Sequence, residues 1–160
     1  MLIVFKAKNI GFYVKFNDSH LAGEISRSLP LEGAAQRWGD EIYFETGITA
    51  STQGQTMDVN VGDVAYWPQG KCLCVFFGRT AASTTDKPVP ASPVVIIGST
   101  MASPDELRQV QAGELIRVFV MGKRADYTTS GNLYDDNRKL SQKEIDNLVK
   151  QLLAEKESSR

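Results

Sequence analysis

The stretch GDVAYWPQGKCLCVFFG, residues 62–78, constrains the fold more than any other part of the chain. It predicts a β-hairpin: Pro68 presets φ for a turn, Gly70 tolerates positive φ, and β-prone residues run on either side. Successive strand residues point to opposite faces of a sheet. Val64 and Tyr66 therefore share one face, while Ala65 and Trp67 share the other. After the turn, Leu73, Val75 and Phe77 lie on one side and Cys72, Cys74 and Phe76 on the opposite one. A strand with one wet face alternates apolar and polar residues. This hairpin is apolar on both, so its second face needs a cover, either more of the chain or a ligand.

The flanking segments extend the same pattern. LIVFKAK and FYVKF, with NIG between them, predict an opening hairpin over residues 2–8 and 12–16. A helix follows, capped by Asp18 or Ser19, with Leu21, Ala22, Ile25 and Leu29 as its apolar stripe and Pro30 as its end. EGAAQRW and DEIYFET then predict a strand pair across Gly39-Asp40. Residues 80–92, TAASTTDKPVPAS, have no periodicity and must form a loop; one this long inside a domain is usually mobile or functional. PVVIIGS reads as a buried strand, Ser103-Pro104-Asp105-Glu106 as a helix start with a capping box, and ELIRVFVMG as a closing strand. Seven or eight short strands with two short helices predict a mainly β chain whose sheet closes into a barrel, because closure removes exposed edges.

Residues 1–122 carry this strand series, and residues 123–160 differ in kind. A polar stretch leads into LSQKEIDNLVKQLLAEK, where Ile145, Leu148, Val149 and Leu152 fall at helical spacing behind a Ser141-x-x-Glu144 capping box. A lone helix of this length is marginal in water, so it must dock on its own barrel, on a second copy to give a homo-oligomer, or on a partner protein.

Charge and motifs exclude several classes. Eighteen basic and nineteen acidic residues give a net charge of −1 with no basic stripe, which argues against nucleic acid. The start MLIVFKAK has too few apolar residues for a signal peptide or a membrane span, so a cytoplasmic protein is expected. Cys72 and Cys74 suit buried, reduced thiols; as metal ligands they lack companions, since the one histidine, His20, is far away in sequence. No cofactor or metal is expected. Asp40, Glu41, Asp58, Asp63 and Asp86 read as solvated or turn-stabilising carboxylates. There is no phosphate-loop spacing and no Ser-His-Asp set.

The order of these pieces resembles the cyclophilins: an early helix plugging a small barrel, a strand carrying an arginine, a Gly-led hairpin, a loop, an apolar strand ending in Gly, a short helix and a closing strand. AQRW supplies Arg37, and the wording RWGDEIYFE, GDVAYWP, FFG and ASPVVIIG is similar to the small bacterial and archaeal cyclophilin-like proteins of unassigned function. The resemblance covers residues 1–122. In prolyl isomerases of this fold it implies an apolar proline pocket and an arginine near the prolyl amide, so Arg37 takes the arginine's place and Phe76 or Phe77 the pocket phenylalanine's. This chain departs from the isomerases at Val75, where they carry Gln, and in residues 80–92, which hold neither their Trp nor their His.

The expected function is therefore ligand binding in a groove at the barrel rim without strong catalysis, with prolyl isomerisation as the alternative. Candidate ligand-binding residues are Arg37, Trp67, Phe76, Phe77 and Arg79. Arg37 and Arg79 are each either groove anchors or ordinary ion-pairing arginines. Trp67 either borders the groove or packs over the barrel end against the early helix. Arg37 and Trp38, being adjacent, cannot both face one pocket; with Arg37 at the groove, Trp38 packs near a turn. Two arginine anchors would favour an anionic small molecule or peptide.

Overall fold

β1 (Leu2–Lys6) and β2 (Gly11–Phe16) form the opening hairpin, from Leu2 opposite Lys15 to Lys6 opposite Gly11. Ser19 caps α1 (His20–Arg27), its Oγ accepting from the Ala22 N–H at 3.2 Å, and the helix buries Leu21, Ala22 and Ile25. There follow β3 (Leu31–Ala34), β4 (Gln36–Arg37), β5 (Glu41–Glu45), β6 (Asp63–Trp67), β7 (Cys72–Phe76) and β8 (Val95–Thr100). α2 (Pro104–Leu107) carries the expected capping box between Ser103 and Glu106, and β9 (Leu115–Val120) ends the series. The computed structural model describes residues 1–50 and 53–122. The amphipathic helix expected from the C-terminal sequence, and the polar stretch before it, lie outside the described residues.

The strands make one antiparallel sheet of nine, in the order β3-β9-β1-β2-β8-β6-β7-β5-β4. The ninth comes from a split. EGAAQRW does not pair as one strand with DEIYFET: Leu31 to Ala34 pair with Val118 to Leu115, and Gln36 and Arg37 alone pair with Tyr43 and Ile42. One segment thus supplies both edge strands, joined through the fully buried Ala35. A Cβ on Gly33 would sit 2.7 Å from the Glu45 carbonyl oxygen and 3.0 Å from the Phe44 ring, so the edge strand β3 approaches β5, the strand inside the other edge, as closely as glycine permits. The result is a nearly closed barrel.

The central hairpin has the predicted faces but a different turn. Positive φ falls on Lys71 (54°) instead of Gly70. Gly70 is required because a Cβ there would lie 2.5 Å from the Trp67 ring. Val64 pairs with Val75 and Tyr66 with Leu73 on the inner face, and Ala65 pairs with Cys74 and Trp67 with Cys72 on the outer face. The inner set joins Phe5, Phe12, Phe44, Phe77 and the α1 stripe in the barrel core. The outer set forms a second cluster with Phe76, Val59 and Val94, against which Tyr43, Trp67 and Ile96 pack. The cover of the second face is therefore mostly the chain itself.

Candidate functional site

The sheet register builds a depression on the outer face. Across β5, β7 and β6 the outward rows are Glu41 beside Phe76, then Tyr43 beside Cys74 and Ala65, then Glu45 beside Cys72 and Trp67. The middle strand contributes small side chains while its neighbours carry Tyr43 and Trp67. Directly paired residues share a face, and the tight turn at Gly39-Asp40 pairs Trp38 with Glu41 through backbone hydrogen bonds of 3.0 and 3.2 Å. Trp38 is thereby brought to the same side. Pro90, Ala91 and Val94, at the end of the loop, roof what remains and leave a pocket of about 210 Å³ walled by Trp38, Tyr43 and Trp67 with Glu41 in its lining.

The walls are fixed from behind. The Trp67 indole N–H donates to Ser92 Oγ at 2.5 Å, and Ser92 donates on to Gln69 at 2.9 Å. The Tyr43 and Trp67 rings meet edge to face, with centroids 6.3 Å apart and an interplanar angle of 86°. The loop is pinned as well: Thr80 Oγ1 donates to the Val89 carbonyl at 2.6 Å, Ser83 Oγ to the Lys87 carbonyl at 2.8 Å, and Lys87 pairs with Asp58. Within the loop, Pro88 and Pro90 are buried.

Glu41 corrects the sequence reading. Instead of a solvated turn carboxylate it is a strand residue with 6% of its surface exposed. Burial raises its pKa to about 7, partly offset by a hydrogen bond from the Cys74 thiol. The thiols are inert by the same physics: burial pushes Cys72 up to about 11 and Cys74 well above its ordinary range. The other carboxylates keep structural roles. Asp40 takes Arg108 at 3.0 Å, and Asp63 Oδ2 accepts from the Asn60 N–H at 2.8 Å. Among the described residues no cluster of His, Cys, Asp and Glu could hold a metal.

The five residues singled out from the sequence are not brought together. Trp67 lines the pocket and does not pack on the early helix, and Phe76 lies fully buried in the cluster beneath. Phe77 is in the barrel core, and Arg37 stands over its ring at 5.1 Å from the centroid. The Arg37 guanidinium donates to the Gly39 carbonyl (2.8 and 3.2 Å), to Val110 (2.9 Å) and to Arg108 (3.3 Å), and also pairs with Asp40 (3.5 Å). It ties β4 to the end of α2 and leaves the pocket to Trp38, the reverse of the expected assignment. Arg79 is outside the pocket lining, half-exposed and 3.8 Å from Asp86. Trp38 and Glu41 are the site residues that sequence reasoning missed. Their signal was the two-residue turn between them, which places them opposite each other.

The comparisons with known proteins fit this architecture. The family model described as Cyclophilin-like matches residues 1–119. The solution structure of a hypothetical protein from Archaeoglobus fulgidus is similar, with a TM-score of 0.64 and 34% identity, over 74% of this chain and 93% of that one. No curated protein matches. With a family match over residues 1–119 and a solved relative of 34% identity, the chain belongs to the cyclophilin-like family.

Proposed function

We propose that this protein is a binding module whose ligand site is the pocket on the outer face of the β6–β7 hairpin. The observation that carries this reading is the concentration of both tryptophans of the chain, with Tyr43, around one buried carboxylate. Trp67 and Tyr43 are held in place by Ser92 and by each other, so binding would order little. Apolar walls with one placed polar group are the usual form of a ligand site. The volume of about 210 Å³ is below the ~300–1,000 Å³ that encloses drug-sized molecules, which suits a small ligand, a head group or one side chain of a peptide.

Prolyl isomerisation is the weaker reading. Arg37 spends its donors on backbone carbonyls and Asp40, so it would have to abandon several hydrogen bonds to reach a prolyl amide. Burial raises the pKa of both Cys72 and Cys74, which favours the neutral thiol over a nucleophilic thiolate.

The test is a ligand search by native mass spectrometry on protein from its source, backed by a fragment screen read by tryptophan fluorescence. A bound species lost in Trp67→Ala supports the reading. A screen in which nothing perturbs either tryptophan overturns it.

A further inference from the structure

We propose that the pocket recognises a compact organic cation, an alkylated ammonium head group, with Trp38, Tyr43 and Trp67 as its aromatic walls and Glu41 as its counter-charge. This inference rests on the binding-module reading of the same pocket. Arg37 and Arg79, which pointed to an anion when the sequence alone was read, are engaged elsewhere, and neither lines the pocket. Among the described residues the lining carries one ionisable side chain that can be charged near neutral pH, and it is acidic. Aromatic faces attract cations through the ring quadrupole, most strongly when the cation is desolvated, and tryptophan is the best of them. Two of the three walls here are tryptophan.

A bare ammonium or guanidinium would lose hydration that three apolar walls cannot replace, whereas an alkylated ammonium presents methyl groups to the rings and its diffuse charge to Glu41. A carboxylate in an apolar site is costly to ionise alone, and an entering cation makes ionisation favourable. Glu41 faces Cys74 on β7 and shares its strand face with Tyr43 and Glu45, with Cys72 next to Glu45. Pro90, Ala91 and Val94 are the loop's contribution to the lining and do not titrate. Among the described residues no lysine or arginine lines the pocket to neutralise Glu41 in advance.

Tetramethylammonium chloride and choline chloride, titrated against matched sodium chloride, are the probes, and fluorescence is the readout because both tryptophans line the pocket. 3,3-Dimethylbutan-1-ol, the uncharged carbon isostere of choline, is the control. The expected result is a saturable change with both cations, weakened about tenfold or more by Glu41→Gln and by Trp67→Ala, while Trp67→Phe retains partial binding. Affinity for the cations should rise between pH 6 and pH 8 as Glu41 gives up its proton, and Glu41→Gln should remove that rise. No saturable response to either cation overturns the proposal. Equal binding of the uncharged isostere, or binding indifferent to Glu41→Gln, also overturns it, but leaves the pocket as a site for a neutral ligand. Failure of the binding-module reading itself looks different, because then neither the cations nor the isostere perturbs the tryptophans.

Discussion

The two faces of the central hairpin are equally apolar in sequence and unequal in use. Val64, Tyr66, Leu73 and Val75 on the inner face are large and essentially fully buried, and their one polar group, the Tyr66 hydroxyl, donates to the Ile48 carbonyl. On the outer face Ala65, Cys72 and Cys74 are small, the cover is a loop, and the neighbouring polar group is a carboxylate with a raised pKa. Small residues under a pinned loop leave a gap where large residues inside a barrel leave none. An apolar face is thus a core when its side chains fill the space, and a site when its neighbours stand taller than it does.

Truncation should separate the faces most clearly. Leu73→Ala removes a fully buried side chain from the barrel core and should cost about 2–5 kcal/mol in denaturant unfolding. Cys74→Ala, the adjacent residue on the outer face, removes a single sulfur atom from the smaller second cluster and should cost about 1 kcal/mol. Similar losses for the two would mean that the outer face is as much a core as the inner one.

A pH series tests the outer face through Glu41. The unfolded side chain ionises near 4.5, but the native one keeps its proton to about 7. Between those values the native state binds more protons at this site, so the contribution of Glu41 to stability should be greatest below pH 4.5, fall as pH rises to about 7 and stay level beyond. The fall attributable to Glu41 is at most about 3 kcal/mol. Asp63 is also raised by burial and contributes in the same direction, so the comparison is wild type against Glu41→Gln. The variant should lose most of the slope between pH 5 and 7. An unchanged slope would mean that Glu41 is solvated.

Much of this was legible in the residues. Period-two alternation assigned both faces of the hairpin, the capping residues placed both helices, and the unpaired apolar face announced that something covers it. The misreadings have physical causes. EGAAQRW has no break signal, since the division at Ala35 is imposed by closure: β3 finds β9, a partner some eighty residues away. Glu41 looks like a turn carboxylate because it follows Gly39-Asp40, and the pocket it lines is completed by a loop nearly fifty residues later. Arg37 and Trp38 were correctly read as facing opposite ways, but alternation does not say which way is inward. That was decided by carbonyls at the end of α2, which needed a donor and took the arginine.

Arg37→Ala sharpens the contrast by removing a charged tie on the barrel side. Its contacts with Val110 and Gly39 are charge-assisted, and losing them leaves carbonyls at the end of α2 with fewer donors. Stability should fall by about 1.5–3 kcal/mol, while the fluorescence response to tetramethylammonium should be unaffected. The opposite pattern, intact stability with lost binding, would return Arg37 to the groove.

Arg79→Ala should have the smallest effect. Its guanidinium is more than half exposed and lies 3.8 Å from an Asp86 that is itself fully exposed, the kind of ion pair that contributes ~0–1 kcal/mol and is screened by salt. What Arg79 gives the fold is its backbone: its carbonyl accepts from the Asp40 N–H at 2.8 Å, and a Cβ on Gly39 would lie 2.7 Å from the same oxygen. Alanine preserves that carbonyl, so the turn that sets Trp38 opposite Glu41 should survive the substitution. The expected unfolding midpoint corresponds to a change within about 0.5 kcal/mol, with cation binding equal to wild type at 0.15 M salt. Gly39→Ala is the informative partner, because it strains a φ of 62° and presses on the Arg79 carbonyl, so it should disturb the pocket that Arg79→Ala leaves alone. If Arg79→Ala weakened binding as much as Trp67→Ala does, the site would extend beyond the lining formed by Pro90, Ala91 and Val94 to include Arg79.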